Sequence, residues 1–535
     1  MKRRTFLQSI AATAATAPIM LNGIPVRAQT SLPFLAQMPQ SAQGKVLVFI
    51  QLFGGNDGLN TVIPVNDPNY YTLRPNIGIS STDAIMVEPN LIYFNSGLQR
   101  GAQGGFVTLL QKGWLEIVQG VGYPSPNLSH FRSTDIWLSG INPNGDSSVV
   151  LDSGWVGRML EEKYPSFPAN LPDDPLAIQL GGFSLTLVGN QGVPTGIQVG
   201  DPSQQASVSS VDETLDAAST GTNYATEYAF IDQVAVNSNK YATNIKNAYA
   251  NGKTQLKASY GSDSFGQQMA SVAALIAGGL GTSVYVVSLG GFDTHVTQQT
   301  DGTHGTHQNL LGYLADGVAE FMHDMVSLGL ADRVVGMTVS EFGRRPSENG
   351  SLGTDHGAAS VQFVWGTQVN SGMIGNVPDL SPTGGMLDEN QDLIYQYDYR
   401  SIYLDIMMKW FGMTLNDALT VLELQGSNAV LPLDVIQPQA GVSQKYDTPN
   451  NGVKIANYPN PFVSSTTFEL VLPNAMDVTL DISNVAGQSV SRVVDRRLDA
   501  GTHQIPFSAN LPSGVYLCSI VAGGTRLSHF IQCNR

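Results

Sequence analysis

The chain has 535 residues, 42% of them hydrophobic and only 13% charged, with a formal net charge of −16. That length suits one large domain plus a small one, and the composition excludes a disordered chain. A body this acidic repels phosphate backbones, which argues against a nucleic-acid binder, and it attracts metal cations.

The N-terminus reads MKRRTFLQSIAATAATAPIMLNGIPVRAQT. A basic start, a mild Ala/Thr-rich apolar stretch and Val26-Arg27-Ala28 before Gln29 read as an export signal over residues 1–28, cut after Ala28. It carries four positive charges and no acid, so its removal leaves −20. The apolar run Ile10 to Leu21 is too short to span a bilayer, and no transmembrane segment is expected in the mature chain. Arg3-Arg4 followed by Thr5-Phe6-Leu7 resembles the twin-arginine signal, which exports proteins already folded. The alternative is an ordinary unfolded-export signal that happens to hold two arginines.

From Lys45 to about Leu433, short apolar runs alternate with helical patterns. The runs are Val46–Phe53, Leu115–Val118, Ala177–Leu180, Ser283–Leu289, Arg333–Val339 and Val361–Trp365. Continuous apolar strands separated by helices predict a parallel sheet covered on both faces. Helices are expected over Gly266–Ala277, Gln308–Ser327 and Tyr399–Phe411. The second has an apolar stripe of Leu311, Leu314, Val318, Phe321 and Met325. Residues 200–260 are polar and weakly periodic and read as a helical insertion.

Residues 436–454 are rich in Pro, Gly, Asn and Gln and read as a linker. After it come short strands with turn punctuation, which predict a small all-β sandwich over residues 455–535. The only cysteines, Cys518 and Cys533, lie in this module, so no disulfide framework is expected. They could pair with each other or be two small buried hydrophobes. The segments NYPNPF (457–462), AGQSV (486–490), AGTHQI (500–505) and LPSGVYLCSI (511–520) resemble the type A sorting domain of the type IX secretion system. That resemblance implies a second export step across the outer membrane, with release or anchoring at the cell surface.

Ligands of open α/β sheets sit beyond the carboxyl ends of the strands, so the residues just past each apolar run matter most. Gly54-Gly55-Asn56-Asp57-Gly58 comes after the first, Gly290-Gly291-Phe292-Asp293-Thr294-His295 after the fourth and Ser340-Glu341-Phe342-Gly343-Arg344 after the fifth; Thr354-Asp355-His356-Gly357 precedes the sixth. Asp, Glu and His next to glycines are what divalent metals require. Leu115–Val118 leads instead into PSPNLSHFRSTDIW, where Ser129 stands near a helix start. Ser129 could cap that helix, or act as a nucleophile favoured by the helix N-terminus and a metal. Six of the eight histidines fall between His130 and His356. His295, His304 and His307 share a polar loop, where they are either solvated or metal ligands.

The motifs GGNDGLNTVIP, PNLSHFRSTDIW, SDSFGQQM, GGFDTH and SEFGRRPSENGSLGTDHG, in that order over roughly residues 45–435, resemble the domain-of-unknown-function family 1501. That family is similar to the alkaline phosphatase and sulfatase superfamily. The resemblance implies a three-layer α/β/α sandwich with a metal centre at the strand ends and a nucleophile that attacks phosphate or sulfate esters. Carried over, Ser129 matches the nucleophile, and Asp57, Asp355 and His356 match the first metal's ligands. Asp293 and His295 belong to a second site, with Arg344 as an anion clamp or a partner of Glu341. The sequence departs from the superfamily pattern twice. One residue rather than three separates Asp293 from His295, and no histidine follows His356 within the domain. His304 or His307 could substitute; otherwise the second site is incomplete and only one metal, or none, binds, with Glu341 a further candidate ligand.

The expectation is an exported, divalent-metal-dependent hydrolase of anionic esters at the cell surface or in the medium, reached through the periplasm by the twin-arginine and type IX machineries. The metal is zinc, manganese, calcium or magnesium. The rival is an inactive binding scaffold that keeps the fold. A redox enzyme is suggested only by the twin-arginine signal; no dinucleotide fingerprint in a strand–turn–helix context and no cysteine cluster supports it.

Overall fold

The computed structural model describes residues 19–21, 24–26, 44–88, 92–167, 170–181, 184–192, 194–204, 241–300, 304–383, 385–424, 430–437, 454–458, 462, 464–483, 489–508, 511–512, 514–522 and 525–533. Most of the export signal, most of the 436–454 linker and residues 205–240 of the helical insertion lie outside them; residues 241–253 are helical. The chain divides into two compact units, Met1–Gln425 with Pro432–Gln437, and Gly426–Leu431 with Pro438–Arg535.

The first unit is built on a nine-stranded sheet. Its strands are β1 (Val46–Leu52), β2 (Leu115–Gly122), β3 (Ala177–Leu180), β4 (Gly196–Val199), β5 (Val284–Leu289) and β6 (Val334–Ser340). A hairpin of β7 (Gly343–Glu348) and β8 (Thr354–Gly357) intervenes before β9 (Ser360–Trp365), β10 (Gly372–Ile374) and β11 (Tyr397–Asp398). The order is β10-β2-β9-β6-β1-β5-β3-β4, with β11 also on β2. All pairs are parallel except those of β9, which runs antiparallel to both β6 and β2. The expected parallel sheet is therefore mixed. A parallel neighbour needs a crossover of a dozen or more residues with a helix, whereas β6 returns to β9 through the β7–β8 hairpin. This reversal has a functional consequence. The C-terminal ends of β1, β5 and β6 and the N-terminal end of β9 share one edge, so residues after the former and before the latter meet there.

Alternate residues of β1 point to opposite faces, as a period of two requires. Val48, Ile50 and Leu52 pack with the buried stripes of α4 (Ser264–Ala277) and α5 (Thr306–Ser327), beside α1 (Gly105–Gln111). The expected stripe Leu311, Leu314, Val318, Phe321 and Met325 is fully buried. On the other face Phe49 meets Trp155 of α3 (Trp155–Lys163), which stacks on Tyr403 of α6 (Arg400–Asp405) at 4.4 Å. Trp410, in the π-helical turn continuing α6, donates its indole N–H to Val46 O. Helices on both faces of the sheet make a three-layer α/β/α sandwich. One more helix, α2 (His130–Ser139), follows β2 and ends at Gly140, whose φ of +71° suits a residue without a side chain.

The second unit is a small β-sandwich. One sheet orders Lys454–Tyr458, Ser465–Leu472 and Gly501–Ser508; the other orders Ser489–Leu498, Met476–Ser483, Gly514–Ala522 and Thr525–Cys533. Phe468, Leu470, Leu480, Ile482, Ile520 and Ile531 fill its core. Cys518 and Cys533 form no disulfide and are both buried there. Of the two readings left open by the sequence, the structure takes the small-hydrophobe one. Burial pushes the Cys518 thiol well above its usual range, which keeps it unreactive.

Candidate metal centre

Four loops meet at the shared sheet edge. The loop after β1 turns through Gly54 and Gly55, with φ of +120° and +83°. A Cβ on Gly54 would lie 2.1 Å from Asp293 N, so glycine lets the loops after β1 and β5 touch. Glu341, directly after β6, accepts the Gly54 N–H at 2.8 Å and stitches a third loop to them. The β7–β8 hairpin brings in Asp355 and His356, and the start of α2 brings in Ser129 and His130.

At the centre is one carboxylate oxygen, Asp293 Oδ1. His295 Nε2 lies 3.1 Å from it, His356 Nε2 3.3 Å and His130 Nε2 3.5 Å. His295 Nε2 and His356 Nε2 are 3.0 Å apart. The other nitrogen of each ring is committed. His130 Nδ1 meets Glu341 Oε1 at 2.8 Å, His295 Nδ1 meets Asp355 Oδ1 at 3.1 Å, and His356 Nδ1 meets the Leu128 carbonyl at 2.8 Å. Carboxylates and carbonyls only accept, so each Nδ1 carries the proton and donates it. A neutral ring then presents a bare lone pair at Nε2. Three lone pairs and a carboxylate oxygen thus converge on one point. Such a collection of acceptors repels itself unless a cation or added protons lie among them. The ligand atoms of His130, Asp293 and His356 all fall within 4.8 Å of one another, the spread that one metal ion spans.

The electrostatics agree with an acceptor-rich site. Partial burial would raise the Asp293 carboxyl, but the Arg344 guanidinium, at 2.7 Å from Oδ1, and the neighbouring imidazoles hold it below the usual carboxylate range. Burial lowers His356, with the Arg344 and His130 charges acting in the same direction against the Leu128 carbonyl and Asp293. Asp355 is lowered chiefly by the Asn349 side-chain amide, which donates to it at 3.2 Å. Phe342 stacks near His356 and His130, with ring centroids 4.4 and 4.9 Å away, and forms an apolar wall.

The structure distributes the expected site residues unevenly. Asp293, His295, Asp355 and His356 come together as one cluster, not as parts of two. Glu341 stands behind His130 and orients it. Ser129 sits between Leu128, whose carbonyl holds His356, and His130; it is exposed and its hydroxyl makes no capping bond. The Asn127 side chain accepts its N–H at 2.9 Å instead.

Asp57 lies elsewhere, fully buried. Arg74 donates to both its oxygens, Nη1 to Oδ2 at 2.7 Å and Nη2 to Oδ1 at 3.0 Å. Gln298 donates to Oδ2, and Oδ1 accepts the Leu59 and Asn60 amides. Burial would raise this carboxyl, but Arg74 and His307 override it and the net shift is downward. Five donors thus occupy those oxygens, and Asp57 is not brought into the cluster with the other expected ligands. Arg344 bonds to groups other than Glu341, the partner the sequence offered as an alternative to an anion clamp. Its side chain is buried and donates to the carbonyls of Gly54, Gly55, Phe292 and Thr354 as well as to Asp293. It ties the loops together. His307 is buried beside Asp57, with Nε2 3.0 Å from Asn56 Oδ1; burial, then the Arg74 and Arg344 charges, lower it to about 4. His304 is exposed, and its carbonyl accepts from Thr300. Neither joins the cluster.

His130 is the cluster residue that the sequence did not single out as a candidate ligand. The third imidazole, looked for downstream of His356, comes from upstream. The available signal was its place beside Ser129 at a helix start that follows a strand end.

Residues 153–392 match the family model described as protein of unknown function (DUF1501), and residues 456–533 match that of the secretion system C-terminal sorting domain. The first match includes Asp293, His295, Glu341, Asp355 and His356 and begins after His130. The sorting domain marks the chain for export and for surface attachment or secretion. No curated protein matches the chain. Among solved structures, a protein in the alkaline phosphatase superfamily from Vibrio parahaemolyticus is 9% identical, covering 100% of this chain and 91% of that one with a TM-score of 0.28. A sulfatase from Pseudoalteromonas sp. is 10% identical, covering 88% and 84% with a TM-score of 0.30. A structure from work on glycosaminoglycan metabolism by Bacteroides thetaiotaomicron is 8% identical, covering 85% and 89% with a TM-score of 0.31. Overlaps this low carry no argument, and the fold and site rest on the sheet and its side chains. Among the described residues no helix is long and apolar enough to cross a membrane.

Proposed function

We propose that the chain is an exported, divalent-metal-dependent hydrolase of phosphate or sulfate esters. The observation that carries this reading is the convergence of three imidazole Nε2 atoms on Asp293 Oδ1, each ring with its Nδ1 against an acceptor. His130, His356 and Asp293 would hold the ion, with His295 as a further ligand. Glu341, Asp355 and the Leu128 carbonyl would orient the rings, as outer partners of metal-bound histidines do. The donor set of nitrogen and one carboxylate favours zinc or manganese over calcium or magnesium. Once bound, the ion would supply positive charge to neutralise the transferring group.

The chain's own residues would do the rest. The Ser129 hydroxyl, uncommitted at the N-terminus of a ten-residue helix, would form the new bond to phosphorus or sulfur while the ester oxygen leaves with its alcohol. Water would then release the anion from Ser129. The domain over residues 45–435 would carry this chemistry, residues 1–28 would export it folded through the twin-arginine route to the periplasm, and residues 455–535, beyond the 436–454 linker, would direct it across the outer membrane.

The second reading, a binding scaffold without turnover, draws on Asp57 and Arg344. With both saturated, these residues offer no second metal site and no anion clamp. Metal content by mass spectrometry of the purified protein and of His356→Ala tests the centre. About one equivalent of zinc or manganese, lost in the variant, is expected; no metal after incubation with zinc, manganese, calcium and magnesium sinks the hydrolase. Hydrolysis of aryl phosphates and sulfates by the wild type and by Ser129→Ala separates the two readings, since a scaffold shows none in either.

A further inference from the structure

Large apolar side chains stand exposed on residues next to, or a few positions from, those of the cluster. Phe131, next to His130 on the first turn of α2, is 87% exposed; Val296, next to His295, is 58% exposed; Leu352, in the β7–β8 hairpin just ahead of Asp355, is 41% exposed. Beside Phe131, Arg132 donates to Val149 O at 2.9 Å and fastens a loop whose Val150 is also exposed. Single exposed apolar residues are ordinary, but several flanking one polar centre are not.

The backbone under two of them is strained. Thr297, after Val296, has φ of +47°, and Leu352 has φ of +58°. A β-branched or bulky residue is an outlier in this left-handed region, and such residues collect at functional sites. The strain is held by two cross-loop bonds, Thr297 N–H to Ser351 O at 3.1 Å and Gln298 N–H to Leu352 O at 2.8 Å. The same two bonds join the loop of Val296 to the hairpin of Leu352, the segments that also carry His295 and Asp355.

We infer that this rim holds the apolar part of an amphipathic ester whose anionic end sits at the imidazole cluster. The substrate class is then an alkyl or aryl phosphate or sulfate monoester, not a small or wholly polar one. This deepens the hydrolase reading and rests on it for the position of the anion. The rim would act on binding, through apolar area removed from water, and would leave the charged end untouched.

The test is calorimetric binding of methyl-, octyl- and phenylphosphonate, which cannot be hydrolysed, to the full chain loaded with zinc or manganese. Octyl- or phenylphosphonate is expected to bind at least about tenfold more tightly than methylphosphonate. The stronger of the two distinguishes a lipid-like from an aryl substrate. Combining Phe131→Ser, Val296→Ser and Leu352→Asn should abolish that margin and leave methylphosphonate binding unchanged. All three residues are exposed, and asparagine tolerates the left-handed backbone at 352. Equal affinities, a margin that survives the triple variant, or no binding of any phosphonate overturns the inference. A margin without turnover of any ester sinks the hydrolase and leaves the rim, and turnover without a margin does the reverse.

Discussion

Two carboxylates follow parallel strands at the same sheet edge, and each has an arginine beside it. Asp57 is fully buried, and Arg74, Gln298 and two backbone amides saturate its oxygens. Asp293 is half exposed, and Oδ1 meets one arginine and three imidazole nitrogens whose lone pairs face it. The difference lies in what the neighbours can still offer. Around Asp57 donors and acceptors balance, so the group holds the fold. Around Asp293 acceptors are in excess, an imbalance that a cation or added protons would offset. Residue type and strand-end position do not separate these cases; the balance of donors and acceptors does.

The comparison breaks most sharply at Asp57→Asn. Removing one partner of a buried ion pair leaves Arg74 uncompensated, and a loss of about 3–5 kcal/mol is expected. Asp293→Asn in the metal-free protein should cost about 1 kcal/mol or less, because that group is partly solvated. Urea unfolding midpoints of the two variants check this, and similar shifts would erase the distinction. The Asp57 carboxyl is depressed in the folded state, so its stabilisation is fully present above the unfolded value of about 4 and is lost as pH falls through the lower folded value. The gap between wild type and Asp57→Asn should therefore shrink only below about pH 4.

Metal binding sharpens the other side. His356→Ala removes a ligand and should weaken zinc or manganese by more than about 100-fold, beyond the range for outer partners. Glu341→Gln keeps the side chain's shape but lets the amide turn its donor toward His130 Nδ1, which disturbs the tautomer. A loss of roughly 10–100-fold in metal affinity is expected, and the urea midpoint should fall as well, because the same Oε1 also accepts the Gly54 N–H. Competition against a chelator reads both. Unchanged affinity in Glu341→Gln would show that the ring orientation does not depend on that carboxylate.

Much of the frame was legible because apolar runs and helical stripes are local. Val46–Phe53 and Ala177–Leu180 became strands almost to the residue, and the stripe on α5 is buried as its spacing demands. The reversal of β9 was not legible, because the hairpin Gly343–Glu348 with Thr354–Gly357 is polar and gives no strand signal of its own. In the site, Asp293, His295, Asp355 and His356 could be picked from strand-end position alone. The surroundings of Asp57 and Arg344 were not legible for a common reason: their partners, Arg74 and the carbonyls of Gly54, Gly55, Phe292 and Thr354, are set by tertiary structure. His130 was overlooked because the adjacent serine drew the chemical reading, and nothing local marks which histidine has an acceptor behind it.

Ser129 gives the smallest stability effect and the clearest discrimination. A serine at this position normally caps its helix, and its removal then costs about 1 kcal/mol. Here the hydroxyl makes no capping bond, and Ser129→Ala should shift the urea midpoint by less than about 0.5 kcal/mol. Metal content should also stay as in the wild type, since Leu128 still offers its carbonyl to His356 and His130 keeps Glu341. Hydrolysis of an aryl phosphate or sulfate should nonetheless be lost. A cap role predicts the opposite pattern, with lower stability and retained turnover. If stability, metal and turnover all survive the substitution, the hydroxyl is a bystander, and any hydrolysis by this centre must draw its nucleophile from water.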